Sequence, residues 1–318
     1  MKAQRFDITH TTTYDYRTPV TVAHHLLRLT PRRLPRQFPL DHSLEIHPAA
    51  ATHRHIDYFG NEVTFAGIEG AHRQLRVTAR SRVAVAPAFI PDRTETLAWE
   101  SVRNLCRTDL SEPVLDASEF TFASPLVPLE PAFRSYAVES FPAGRPILDA
   151  VLALSARIHG EFQFDATATT VSTPLTQVLE HRRGVCQDFA HLMIACLRSL
   201  GLPARYVSGY LETLPPPGQA KLVGADASHA WVAFFCPGLG WIDVDPTNNV
   251  LPSMQHVTLG WGRDYDDVSP IRGVLVGGDE HTLTVAVDVA ALGEVEVHED
   301  AITSVQRPPG ISTASAEP

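Results

Sequence analysis

The stretch "GVCQDFAHLMIACLRSLG", residues 184–201, decides the fold. From Phe189 onward the apolar residues Phe189, Leu192, Met193, Cys196, Leu197 and Leu200 recur at steps of three and four. That spacing predicts an amphipathic helix. Gly201 and then Pro203 stop it. Cys196 falls on the apolar stripe and is expected to fill space. Cys186 precedes the stripe, so packing does not require it. It falls in the first turn, where unpaired N–H groups and the helix dipole favour a negative group. A thiol attacks carbonyl carbon as the thiolate, and the same N–H groups suit an oxyanion. Cys186 is therefore the candidate nucleophile, with Arg182 and Arg183 just upstream expected to add positive potential.

Upstream, "RPILDAVLALSARIHGEF" (145–162) and "STPLTQVLEHRRG" (172–184) predict two more helices. The second has Thr173 as its expected N-cap, Pro174 at the first helical position and Gly184 past its end. Downstream come strands at 203–214, 229–237 and 240–249, with "PPPGQA" (215–220) as a loop, and a late strand at 281–292. Residues 303–318 lack apolar periodicity and are expected to fray. The first part of the chain alternates apolar and polar residues at 5–16, 40–48, 62–70 and 75–86, the spacing of an antiparallel sandwich. The expected organisation is a β-sandwich domain at 1–88 and a mixed connector with short helices at 89–144. A core with C-terminal strands follows at 145–302, then the tail. The fold class is α+β.

A nucleophilic cysteine needs a base and a group to orient it. His229 opens the strand "HAWVAFF", and Asp245 closes "WIDVDP". If these strands pair antiparallel, the start of one lies beside the end of the next. His229 and Asp245 then share one sheet edge, with Cys186 brought to it by its helix. Pro246 stops the ladder just beyond the aspartate. A lone strand-start histidine is more often structural, and Asp-Pro is usually a turn; the ordered set of three carries the assignment.

The formal charge of −10 argues against nucleic acid or an anionic membrane as partner. No apolar run reaches the length of a membrane-spanning helix, and the N-terminus lacks a signal-peptide core. The four cysteines form no CxxC pair, so a reduced, cytoplasmic protein is expected. Fifteen histidines are many, but none makes a metal-ligand spacing with a cysteine or another histidine. No metal and no cofactor are expected, and the oligomeric state stays open.

Three segments together resemble one family: "RRGVCQDFAHLMIACLRSLGLPARYVSGYL" (182–211), "ASHAWVAFFCPGLGWIDVDPTNN" (227–249) and "GRDYDDVSPIRG" (262–273). They are similar to bacterial transglutaminase-like proteins, and "HTTTYDYRTPVTVAHHLLRLTPR" with "DYFGNEV" resembles that group's N-terminal β-rich domain. The resemblance implies a papain-like core with Cys186 as nucleophile, His229 as base and Asp245, rather than Asp243, as third member. It implies acyl transfer on peptide or isopeptide amides through a thioester. Hydrolysis is favoured, with transfer to an amine as the alternative and a non-catalytic binding or assembly role as a further one. The charged "GRDYDDV" (262–268) reads by itself as solvated surface.

Overall fold

The computed structural model describes residues 2–212 and 228–296. The expected loop at 215–220 and the tail at 303–318 lie outside them.

The chain begins with β1 (Lys2–Leu27), β2 (Gln37–His47), β3 (Ala51–Ile56) and β4 (Glu62–Val85). Next come α1 (Trp99–Thr108), α2 (Glu112–Ser118), α3 (Pro131–Ala137) and α4 (Ile147–Glu161). A two-residue parallel pair, β5 (Gln163–Phe164) and β6 (Arg183–Gly184), brackets α5 (Leu175–His181). Then follow α6 (Cys186–Ser199), β7 (Ala204–Leu211), β8 (Ser228–Cys236), β9 (Gly240–Val244) and β10 (His256–Gly262). The last elements are α7 (Tyr265–Val268), β11 (Ile271–Gly277) and β12 (His281–Glu296). The fold is α+β, an antiparallel first sheet followed by helices over a second sheet.

In the first sheet β1 and β4 run beside each other for almost their whole length, and the register breaks between Asp15 and Val20. At that break the sheet folds over. Val20, Ala23, Leu27, Ala66 and Ile68 from one half pack on Leu75, Val77, Ala79, Leu44 and Ile46 from the other. The closure makes a sandwich because each strand presents one apolar face. The sequence reads 62–70 and 75–86 as two strands. They are one strand, bent where Gly70 takes a φ of 104°. β3 has all its residues exposed, so it shows no alternation to detect.

Two groupings made from the sequence do not hold. Strands β11 and β12 pair with β1 of the first sheet, not with the core. Alternation marks a segment as strand but does not choose its partner, and β1 has a free edge opposite β4. The helices of the connector are likewise not a link. Trp99, Val102, Phe133 and Tyr136 share one hydrophobic cluster with α4 and α6.

The second sheet is antiparallel in the order β10-β7-β8-β9. Helix α6 lies on one face: Phe189, Met193 and Cys196 cluster with Tyr206, Ala230, Val232 and Phe234. The other face carries Val207, Trp231, Ala233, Trp241 and Trp261. There Arg205 sits between the rings of Trp241 (4.1 Å) and Trp261 (3.7 Å).

The two sheets are fixed to each other at β10. Phe6, Ile8, Val83, Val85, Val287 and Val289 pack on Tyr210, Val257 and Leu259. Two side-chain amides finish the outer edge of β10. Gln37 pairs with the N–H and C=O of Thr258, both at 2.7 Å. Asn61 pairs with those of Trp261 at 3.0 and 2.9 Å. An edge strand left with bare backbone groups would be open to unwanted pairing; these amides close it from the first domain.

Candidate active site

Cys186 is the first residue of α6, after the extended N-cap Val185. Asp188, one turn in, reaches back to accept the N–H of Val185 at 2.8 Å and the hydroxyl of Thr169 at 2.6 Å. Burial raises the Asp188 carboxyl, and those two hydrogen bonds pull the other way. Gly184 is needed for room: a Cβ there would lie 2.6 Å from Asp188 Oδ2. It does not end α5. Arg182 does, in the left-handed region at φ 55°. Its guanidinium stacks on Tyr136 and Phe162 and pairs with Glu161 at 2.9 Å. Arg182 is therefore engaged away from the cysteine. The N-cap of α5 is Pro174, one residue past the expected Thr173. The Thr173 hydroxyl accepts instead from the N–H of Thr170.

His229 lies on β8 opposite Gly209 of β7. A side chain on Gly209 would run into the Val257 carbonyl and the Trp231 indole. Asp245 follows β9 and closes a turn, bridging Val250 in both directions. The structure brings the three sequence-predicted residues together. His229 Nε2 donates to Asp245 Oδ2 at 2.7 Å, and Cys186 lies close enough to the His229 ring to favour its protonated form. Cys186 is half-buried, His229 is 9% exposed and Asp245 is fully buried. Asp243 is elsewhere, in an ion pair with Arg36 at 3.3 Å.

Burial opposes a charge on His229. The hydrogen bonds to Asp245 and Cys186, and the charges of both, outweigh it and raise the imidazole to about 9. Burial likewise works against the Asp245 carboxylate. The donors His229, His256 and Asn248 overcome that and hold it well below the ordinary range. An imidazolium between a carboxylate and a thiol is what a cysteine nucleophile needs. The other thiols differ. Burial pushes up Cys196, which is fully enclosed, also Cys106, and Cys236 to about 11.

Sequence reasoning missed two members of the site. Asn248 donates to Asp245 Oδ2 at 2.7 Å, and His256 Nε2 does so at 3.1 Å. His256 opens β10 as His229 opens β8, and a strand-start histidine was the available signal. Among the described residues, His229, Asp245 and His256 are also the group whose ligand atoms converge, all within 4.8 Å. Two ligands on a zinc ion at its usual bond lengths stand about 3.4 Å apart. The 2.7 Å contact is closer and marks a shared proton.

The "GRDYDDV" segment is only partly solvated surface: Arg263 is exposed, but Gly262, Asp264 and Val268 are buried. Asp264 is fully buried and accepts from the N–H groups of Leu126 (3.0 Å) and Asp266 (3.0 Å). The N–H of Tyr265 donates to Nε2 of His191, a buried residue of α6, at 3.1 Å. Arg198, also on α6, donates to the carbonyl of Arg263 at 2.6 Å. The segment braces α6 from the side. The Asp264 carboxylate is spent on backbone N–H groups, while Arg263 pairs with Asp267 and Asp266 with Arg272.

Residues 6–84 match the bacterial transglutaminase-like N-terminal region, and residues 135–246 match the transglutaminase-like superfamily. An uncharacterised protein of Mycobacterium tuberculosis is 39% identical over 296 residues, covering 90% of this chain and 92% of its own. A protein-glutamine gamma-glutamyltransferase of Pseudomonas aeruginosa is 37% identical over 108 residues, 31% of this chain and 16% of that protein. Among solved structures, a candidate cysteine protease of Cytophaga hutchinsonii superposes with a TM-score of 0.72 at 22% identity, over 94% of each chain. That likeness concerns the fold. No helix among the described residues is long and apolar enough to cross a membrane. The chain thus belongs to the bacterial transglutaminase-like proteins, with their N-terminal region ahead of a core of the transglutaminase-like superfamily.

Proposed function

We propose that the protein is a thiol-dependent acyl-transfer enzyme acting on peptide or isopeptide amide bonds, with Cys186 as nucleophile, His229 as acid and base, and Asp245 as the orienting carboxylate. The observation that carries this reading is the linked set Cys186–His229–Asp245 at the start of α6, with its 2.7 Å bond. The Cys186 thiolate attacks the amide carbonyl. Backbone N–H groups at the helix start receive the oxyanion. The C–N bond breaks as His229 gives its proton to the leaving amine, which leaves a thioester. His229 then takes a proton from water as the water adds to the thioester, and Cys186 leaves again as the thiolate. Asp245 keeps the imidazole in the orientation that serves both steps.

Hydrolysis is the preferred outcome. Transfer to an amine is the second reading, favoured by the stretch shared with the gamma-glutamyltransferase. The substrate is a peptide or protein. No nucleic acid, membrane, metal or cofactor enters the proposed reaction. Four free cysteines fit a reducing compartment, which we take to be the cytoplasm.

The test is intact-protein mass spectrometry after acid quench with a library of glutamine-containing and isopeptide-linked peptides. The expected result is an acyl increment on Cys186 that hydroxylamine removes. Added amines appear in the product only if transfer competes with water. An increment that persists in Cys186→Ala, or none with any peptide, contradicts the proposal.

A further inference from the structure

The Asp245 carboxylate is saturated with donors. Oδ1 takes the N–H groups of Thr247 (2.9 Å) and Asn248 (3.2 Å). Oδ2 takes His229 Nε2, the Asn248 amide and His256 Nε2. Thr247 and Asn248 belong to the same turn as Asp245 and move with it. His256 comes from β10, the edge strand opposite β9. Among the described residues it is the donor, besides His229 itself, that ties the carboxylate to another part of the sheet.

The chemistry of the carboxylate sets the tautomer. A carboxylate offers lone pairs alone, so His256 Nε2 carries the proton. Its Nδ1 is buried without a hydrogen-bond partner, and so is Nε1 of Trp231. Their rings meet edge to face at 5.2 Å. The proton that the geometry assigns to His256 is therefore the one on Nε2, given to Asp245 Oδ2 at 3.1 Å.

We propose that His256 is a positioning residue: as an Nε2–H donor it fixes the Asp245 carboxylate, and through it the His229 ring with Nδ1 turned to Cys186. This rests on the reading of Cys186, His229 and Asp245 as the reacting set. Without His256 the turn bearing Asp245 loses its tie to β10. A lone pair of a buried carboxylate is left uncovered, and the His229 ring is held from one side less.

The experiment is iodoacetamide alkylation of the full chain at pH 6 and pH 10, with Cys186 followed by peptide mass spectrometry. His256→Leu removes the donor, and His256→Gln places an amide N–H near the former Nε2. Activated wild type alkylates at pH 6 nearly as fast as at pH 10. In His256→Leu the pH 6 rate falls at least about tenfold, as expected for losing a hydrogen bond to a charged group. The pH 10 rate stays within about twofold, and His256→Gln recovers most of the loss. A merely structural role would lower both rates or neither. If wild-type Cys186 behaves as a free thiol, the reading of the reacting set fails. If wild type is activated and His256→Leu keeps the pH 6 rate, or the folded glutamine variant fails to recover it, this proposal alone is overturned. Should the leucine variant not fold, 15N spectra of histidine-labelled wild type decide. The Nε2–H tautomer at His256 supports the proposal, and the Nδ1–H tautomer overturns it.

Discussion

Raising the pH through the range in which His229 loses its proton should remove stability that only the folded site supplies. The imidazole rises from its ordinary 6.5 to about 9 on folding. Below 6.5 both folded and unfolded states carry the proton, and the stabilisation is fully present. Between 6.5 and 9 the folded state holds about one proton more on His229 than the unfolded chain; a Cys186→Ala background removes the thiol's own titration, which runs the opposite way. The free energy of unfolding then falls with pH by about 1.4 kcal/mol per unit. Over the whole window the loss is about 3 kcal/mol. Asp245 acts at the other end. Its carboxyl is depressed, so its contribution is present above its ordinary value of 3.8 and is lost as pH falls below it. The assay is urea unfolding at pH 6 and pH 9.5, followed by tryptophan fluorescence. Trp231, Trp241 and Trp261 all lie on the core sheet, so the signal reports the site's own surroundings. His229→Gln keeps a donor toward Asp245 and cannot titrate. In the Cys186→Ala background, the protein with His229 should lose up to about 3 kcal/mol more than the one with His229→Gln between the two pH values. Equal losses in the two proteins would refute the ion pair on which the reasoning stands.

Cys186→Ala should abolish turnover with the melting temperature little changed. Cys196→Ser, which puts a hydroxyl into the fully buried face of α6, should retain the chemistry and lose about 1–3 kcal/mol of stability by urea titration. Gly184→Ala should displace the Asp188 carboxylate from Val185 and Thr169. Thermal unfolding should report about 1–3 kcal/mol of destabilisation, and alkylation of Cys186 should slow. Gln37→Ala leaves the N–H of Thr258 unpaired inside the domain contact, while its C=O keeps the N–H of Arg32 at 3.1 Å. It should cost about 1–3 kcal/mol and speed hydrogen exchange at the Thr258 amide well ahead of that of Leu192.

The proposed nucleophile, base and orienting carboxylate are legible in the sequence because each stands at an element boundary. Cys186 precedes a helical stripe, His229 opens a strand and Asp245 ends one before a proline. Those positions are local, and local pattern shows them. The remaining features depend on who neighbours whom. His256 looks like any strand-start histidine until β10 is placed across the sheet from Asp245. Asp264 looks like a surface charge until Leu126, 138 positions earlier, is brought to it. The alternation in "TLTVAVDV" identifies β12 as a strand but is silent on its pairing with β1. Gly184 reads as a helix stop because glycine favours the left-handed turn. Arg182 takes that conformation instead, held by aromatic stacking and Glu161.

The central claim is that Cys186 alone among the thiols is activated, and that His229 activates it. Competitive alkylation with iodoacetamide at pH 6, resolved by peptide mass spectrometry, tests this directly. Cys106 serves as the internal comparison, because it too is half-buried and burial raises its thiol. Cys186 should be modified at least about a hundredfold faster than Cys106, as for thiols paired with an imidazolium. His229→Ala should bring the two rates together. Equal rates in the wild type, or a Cys186 rate unmoved by His229→Ala, would contradict the claim.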